Sequence, residues 1–232
     1  MITASSIAEM IDHSLLKPEL TTSDVVEGCE LAREYCTASV CVRPCDVSLA
    51  REILKNSKVM VTTVVGFPHG SNLTEIKVLE SLRAIDDGAV ELDMVINIGR
   101  LLSRDFDYVL DDIRAVVQVA HKRGVLVKVI LENCFLERDL IIEACRIAEK
   151  AGTDFVKTST GFAKGGATTD DLRLMRESVG RSVQIKAAGG VRTLDAALMV
   201  IGAGATRFGA TASKEIIEEA RKRESEGTLR LP

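Results

Sequence analysis

Four charged side chains stand inside runs that otherwise read as buried strands. They are Asp93 in AVELDMVI (89–96), Lys128 in LVKVIL (126–131), Lys157 in DFVKTS (154–159) and Lys186 in VQIKAAG (183–189). An ammonium is costly to desolvate, so lysine is seldom buried without a partner. Taken alone, Lys128 reads equally well as half of a structural ion pair. Three such lysines on successive strands carry more positive charge than one or two carboxylates neutralise. Crowded ammonium groups depress one another's pKa, and desolvation acts in the same direction. A lysine made neutral in this way is an amine nucleophile able to attack a carbonyl. Lys157 lies between the other two along the chain and is the candidate nucleophile. Lys186, next to a Gly-Gly pair, is the candidate ammonium that lowers the pKa of Lys157. Asp93 suits a proton relay through water or a plain counter-ion to Lys186 and Lys128, and the two roles are compatible.

Strand periodicity says which residues share a face. Lys157 goes with Phe155 and Ser159, Lys186 with Gln184, Lys128 with Ile130 and Glu132, and Asp93 with Glu91 and Val95. Asp12 and Ser14 in DHSLL (12–16) and Cys41 in ASVCV (38–42) are expected to join them in a substrate pocket. Cys41 is expected to line that pocket without doing chemistry, since no histidine lies near it in sequence. His69 in GFPHG reads as a loop residue, and Lys17 in LLKP as either a rim group or a solvated charge.

Glycines close the last strands: Gly161 after Lys157, Gly189 and Gly190 after Lys186, and Gly209 in TRFGA (206–210). Each alone could be a turn. Clustered on adjacent strands, they let backbone N–H groups approach an anion closely. The run GATAS (209–213) starts a helix whose free N–H groups would face that anion. Thr160 and Thr211 beside the glycines complete the candidate substrate-binding set, with Lys128 included.

The elements that must position these residues alternate along the chain. Eight β-rich runs (the seven already quoted from 12–16, 38–42, 89–96, 126–131, 154–159, 183–189 and 206–210, with MVTTVVGF at 60–67) are separated by stretches of helical period. Among the latter are segments 21–36, 73–88 and 136–152, several opening on Thr, Ser or Asp and closing on Gly. Alternating βα units imply parallel strands joined by helical crossovers. A doubly wound open sheet is the rival, but eight units match a (β/α)8 TIM barrel, which closes without edges. The outward face of each barrel strand must then be apolar, which turns the charged face inward, near the C-terminal rim. A helical piece over 3–11 is expected to cover the barrel floor. No Gly/Ser/Pro linker interrupts the rhythm, so one domain over 1–232 is expected.

Bulk properties exclude several function classes. With 30 basic and 34 acidic residues, a net charge of −4 and only 6 Phe, 2 Tyr and no Trp, the chain is a poor candidate for a nucleic-acid binder. No apolar run approaches a membrane span, and the start lacks a signal-peptide pattern. Six cysteines without a CxxC pair suit free thiols in a reducing cytoplasm. His13, His69 and His121 lie far apart with no ligand-spaced companions, so neither a metal site nor another cofactor is expected.

With these residues in view, the chain resembles the deoxyribose-phosphate aldolases, class I (Schiff-base) aldolases with a TIM-barrel fold. The resemblance runs through DHSLLKPELT, SVCVRP, VVGFPHG, ELDMVINIG, DFVKTSTGF, IKAAGGVRT and GATRFGA in that order. It implies metal-free, reversible cleavage of 2-deoxy-D-ribose 5-phosphate to acetaldehyde and D-glyceraldehyde 3-phosphate in deoxyribonucleoside breakdown. It places the Schiff-base lysine at Lys157, the second lysine at Lys186, the proton-relay aspartate at Asp93 and the phosphate loops at Gly161, Gly189, Gly190 and Gly209. It also implies a homodimer or homotetramer with small phosphosugar and aldehyde substrates. Two features depart from the pattern. Thr211-Ala212-Ser213 stands where many members carry a serine pair, and the chain ends in TLRLP without the tyrosine that some members fold over the site. Phosphate affinity and proton-transfer rate are the properties those departures touch. Another Schiff-base phosphosugar aldolase or transaldolase, or a non-catalytic phosphosugar-binding barrel, are the alternative functions.

Overall fold

A computed structural model describes residues 2–232. Its eight strands are β1 (Ile11–Leu15), β2 (Ser39–Val42), β3 (Met60–Val65), β4 (Glu91–Val95), β5 (Leu126–Ile130), β6 (Phe155–Lys157), β7 (Gln184–Ala187) and β8 (Arg207–Ala210). All pair in parallel in chain order, and β8 closes on β1 through Ile11–Phe208 and Asp12–Gly209. The result is a (β/α)8 barrel. After a short leading helix, α1 (Ala4–Ala8), the helices are α2 (Thr22–Tyr35), α3 (Val47–Ile53), α4 (Thr74–Asp86), α5 (Ile98–Leu102) and α6 (Phe106–His121). They continue with α7 (Arg138–Ala151), α8 (Thr169–Ser178), α9 (Leu194–Gly202) and α10 (Ser213–Ser225).

Local chemistry sets the helix ends. Thr21 caps α2 by accepting from the Asp24 amide, while the Asp24 carboxylate accepts from the Thr21 amide at 2.7 Å, a reciprocal capping box. The helix stops at Cys36, in the left-handed conformation at φ 54°. α7 ends the same way on Gly152 at φ 92°, where glycine carries no Cβ penalty.

Parity along the strands separates two layers. Val40, Leu92, Met94, Val127, Val129, Val156, Ile185 and Phe208 point outward and are buried under the helices. Asp12, Ser39, Cys41, Thr62, Glu91, Asp93, Lys128, Lys157, Lys186 and Arg207 alternate with them and are also buried. They fill the barrel interior. The polar interior is therefore a packed, ion-paired core, surrounded by an apolar ring that carries most of the hydrophobic stabilisation.

Two expectations are corrected. The leading helix is five residues long, and Ile11 already belongs to β1. The helix sets its C-terminal cap, Glu9, at the edge of the depression beneath the barrel. It packs on α10, with the Ala4 amide donating to Glu224 at 3.1 Å. The sixth strand stops at Lys157 and does not reach Ser159. Beyond Lys157 side-chain bonds join the last backbone ones: Thr158 Oγ1 donates to the Ala188 carbonyl at 3.1 Å, and the Thr160 amide donates to Glu132 at 3.1 Å.

Candidate active site

One carboxylate organises the centre. Asp93, from the middle of β4, accepts through Oδ1 from Lys128 Nζ at 3.1 Å. Its Oδ2 accepts from Lys157 Nζ at 2.7 Å and from Lys186 Nζ at 2.6 Å. Three lysines from three neighbouring strands thus share one aspartate. Below it, Lys128 also pairs with Glu91, and Lys186 with Asp12. Arg207 from β8 then pairs with Asp12, Glu91 and Ser39 at the floor.

The lysines differ in what surrounds them. Burial pushes the Lys157 amine below its ordinary pKa; Asp93 opposes that shift and the Lys186 ammonium reinforces it. For Lys186 burial acts in the same direction, but Asp12 and Asp93 outweigh it and hold the amine well above the usual lysine range. Lys128 is likewise raised, because Asp93 and Asp12 overcome its burial. Burial would raise Asp93, yet Lys128, Lys157 and Lys186 together hold it far below the usual carboxylate range. The cluster therefore contains two firm ammonium groups and one amine displaced toward neutrality. The expectation that both neighbours discharge Lys157 is corrected in part. Lys186 does so, whereas the charge of Lys128 is already taken up by Glu91 and Asp93.

The top of this cluster meets a cavity at the barrel mouth. A cavity of about 360 Å³ opens at the C-terminal mouth of the barrel, and Lys157 forms part of its wall. Ser14, Thr160, Gly161, Gly189, Gly190, Gly209 and Thr211 line it as expected, joined by Lys17 and Arg192 at the rim. Gly161, Gly189 and Gly190 have φ of 85°, 80° and 89°, the left-handed region that favours glycine. A Cβ on Gly190 would meet nothing within 4 Å, so that backbone faces open space; one on Gly189 would strike Gly166 at 2.8 Å.

Asp12, Cys41 and Lys128 are placed differently from expectation. They are 0–1% exposed and absent from the cavity wall. Asp12 and Lys128 are held in the ion-paired core, and Cys41 pairs in register with Ser14 of the wall. Burial also pushes the Cys41 thiol up to about 11, which keeps it protonated and inert. Ser213 is similarly diverted: its hydroxyl is buried against His13 Nδ1 at 2.8 Å, which leaves Thr211 as the hydroxyl of that segment on the cavity. α10 begins at Ser213 with no side-chain cap, so its first amides lack partners within the helix. The C-terminal residues lie at the far end of the barrel, where Pro232 packs beside Gly202.

Several site residues were not anticipated. Arg207 shares a face with Gly209, so the same parity that exposed the lysines would have found it. Glu132 follows β5 in the left-handed region at φ 57°, is buried, and accepts from the amide and hydroxyl of Thr160. It fixes the turn that carries Thr160 and Gly161; strand parity sets it on the Lys128 face, but nothing local ties it to Thr160. Among the described residues, no three His, Cys, Asp or Glu side chains gather as a metal-ligand set.

Eight parallel strands around a buried amine that opens on a mouth-side cavity define a (β/α)8-barrel enzyme. Residues 6–218 match the DeoC/LacD family aldolases, and the chain belongs to that family. It is 51% identical over 218 residues to the deoxyribose-phosphate aldolase of Caldanaerobacter subterraneus subsp. tengcongensis, covering 94% of each chain. Among solved structures, it superposes on an aldolase designated QR15 with a TM-score of 0.90 and 38% identity, covering 95% of this chain and 98% of that one. It also superposes on the tetrameric deoxyribose phosphate aldolase of Aeropyrum pernix with a TM-score of 0.86 and 28% identity, covering 94% and 92%.

Proposed function

We propose that this aldolase reversibly cleaves 2-deoxy-D-ribose 5-phosphate to acetaldehyde and D-glyceraldehyde 3-phosphate through a Schiff base on Lys157. The observation that carries the reading is the position of Lys157. It is the one lysine of the central cluster on the cavity wall, and it shares its carboxylate with a firm ammonium.

The neutral amine adds to the C1 aldehyde of the open-chain sugar, and loss of water leaves an iminium. The iminium withdraws the electron pair of the C2–C3 bond, the bond one carbon removed from it. The C3 hydroxyl gives up its proton as that bond breaks, releasing glyceraldehyde 3-phosphate and leaving an enamine. Protonation at C2 and hydrolysis then free acetaldehyde and restore the amine. Asp93 lies where it neutralises the iminium as it forms, and with Lys186 it passes protons through water to the reacting atoms. The left-handed glycines of the rim, with Lys17 and Arg192, suit a phosphate held at the far end of the cavity from Lys157. A homodimer or homotetramer working in the cytoplasm in deoxyribonucleoside breakdown fits this activity. No helix among the described residues is long and apolar enough to cross a membrane.

Incubation with acetaldehyde and borohydride, followed by peptide mass mapping, tests the chemistry. A two-carbon adduct is expected on Lys157, unaffected by EDTA. An adduct on Lys186 or Lys128 would overturn the assignment. Parallel assays with deoxyribose 5-phosphate and fructose 1,6-bisphosphate test the substrate, and preference for the second would overturn that part.

A further inference from the structure

Seven charged groups in mutual contact are sealed into the barrel interior, and their count is uneven. The cations are Lys128, Lys157, Lys186 and Arg207; the anions are Asp12, Glu91 and Asp93. Every anion is in contact with at least two of the cations. Asp12 holds Arg207 and Lys186, with Lys128 at 3.6 Å; Glu91 holds Arg207 and Lys128; Asp93 holds all three lysines. The cluster is neutral only when one of its four cations gives up its proton. Arg207 cannot, because a guanidinium stays charged in proteins. Lys128 and Lys186 each touch at least two carboxylates, whereas Lys157 touches Asp93 alone. Lys157 is also the cation nearest the mouth. The proton that must be absent is therefore absent from Lys157.

We propose that Arg207 and Glu91, on the barrel floor and out of reach of any substrate, set the protonation state of Lys157 by fixing the charge balance of this cluster. Both are positioning residues, and the inference rests on the Schiff-base reading above. The transmission is a relay of shared partners. Arg207 occupies Asp12 Oδ1 and part of Glu91, which leaves Asp12 Oδ2 to Lys186 and the remainder of Glu91 to Lys128. Without Arg207, Asp12 and Glu91 turn wholly to Lys186 and Lys128, those lysines release Asp93, and Asp93 is free to hold Lys157 as an ammonium. Without Glu91, Lys128 and Arg207 compete for Asp93 and Asp12, so Lys157 loses its only counter-ion. The other titratable groups facing Lys157 do not supply this balance. Cys41 from β2 is a protonated thiol, β3 offers Thr62, Glu132 at the end of β5 is taken up by the amide and hydroxyl of Thr160, and Lys17, Glu19 and Arg192 stand at the solvent-open rim, where charges are screened. Arg207 is 8% exposed, on a depression beneath the barrel lined by Glu9, Val59 and Met60. It is therefore replaceable without access from the mouth.

The test measures the pH dependence of the rate at which acetaldehyde is trapped by borohydride on Lys157. It compares wild type, Arg207→Met, Glu91→Gln and the double variant. Removing the cation should move the apparent pKa of Lys157 up by about one unit, and removing the anion should move it down by about as much. The double variant restores the count, three cations to two anions, and should return to within about half a unit of wild type. Arg207→Lys keeps the charge and should stay near wild type. A merely structural role predicts loss of protein or rate without opposite shifts. Should one single variant fail to fold, the other single variant and the double variant carry the same sign test. Shifts of equal sign, no shift in folded variants, or a double variant that does not return would overturn the inference. No adduct in wild type would instead strike at the Schiff-base reading itself, so the two failures are distinguishable.

Discussion

Lys77 and Lys157 are two buried lysines with a carboxylate within 2.7 Å, one in the helical layer and one at the barrel mouth. Burial lowers the pKa of both. Lys77 lies on α4 and is fully enclosed, with Nζ donating to Asp112 on α6 at 2.6 Å and to the Val95 carbonyl at 3.0 Å. Asp112 has no competing cation, and Thr74 donates to its other oxygen at 2.8 Å. Lys157 must share its aspartate with two firmer ammonium groups and stands on the wall of a cavity. Burial therefore does not by itself make a lysine reactive. On the proposed mechanism, competition for the counter-ion and an open approach to the amine are what set Lys157 apart.

The sharpest way to break this comparison is to remove each lysine in turn. On the proposed Schiff-base mechanism, Lys157→Leu should cost at least about 10⁴-fold in turnover, since no other group would replace the nucleophile. Its melting temperature should hold, because Asp93 keeps Lys128 and Lys186. Lys77→Met should do the reverse. It strands Asp112 in the helical layer and should cost about 3–5 kcal/mol of stability, read by urea unfolding, with adduct formation by the folded fraction intact. Lys77→Met combined with Asp112→Leu should recover most of that loss. Comparable activity losses in the two single variants would mean that both lysines are reactive and that the distinction is wrong.

A third buried group sharpens the role of burial alone. His13, on the outer face of β1, has no carboxylate partner, and burial lowers its pKa to about 4, with Glu215 opposing. The unfolded chain takes up this proton near pH 6.5, before the folded protein does, so stability is full above that pH and falls as pH drops toward 4. The loss across that window should reach about 3 kcal/mol. It should largely vanish in His13→Gln, measured by urea unfolding at pH 7.5 and 5. An unchanged pH slope in the variant would assign the acid sensitivity to other groups.

The smallest effect concerns the rim. Gly190→Ala places a methyl group at φ 89° on an open stretch of the cavity wall. It should cost about 1–2 kcal/mol in stability or in phosphate binding. KM for deoxyribose 5-phosphate should rise several-fold more than KM for free deoxyribose. Equal rises would make Gly190 a turn residue and leave Lys17 and Arg192 as the phosphate's partners.

Much of this architecture is legible along the chain because it rests on local rules. Alternation by two placed Asp93, Lys128, Lys157 and Lys186 on inward faces, and the alternation of strands with capped helices implied eight βα units. Depth along the barrel axis is another matter. Lys157 pairs in register with Lys186 and with Ile130, whereas Lys128 pairs with Asp93 and Phe155. That stagger places Lys128 two residues deeper than Lys157, sealed among carboxylates while its neighbour reaches the cavity.

The stagger is a property of strand pairing, in which hydrogen bonds join residues distant in sequence, and no local window contains it. The same holds for the diversion of the Ser213 hydroxyl to His13, 200 residues earlier, and for Glu132 closing the Thr160 turn. The sequence by itself determined the barrel, the inward set of charges and the rim of glycines, since periodicity and backbone freedom are carried by adjacent residues. Only the tertiary structure decided which lysine is left without enough carboxylate and with a way out. Ion-pair partners and solvent access are set by contacts across strands, through the low-dielectric interior that makes each buried charge depend on all the others.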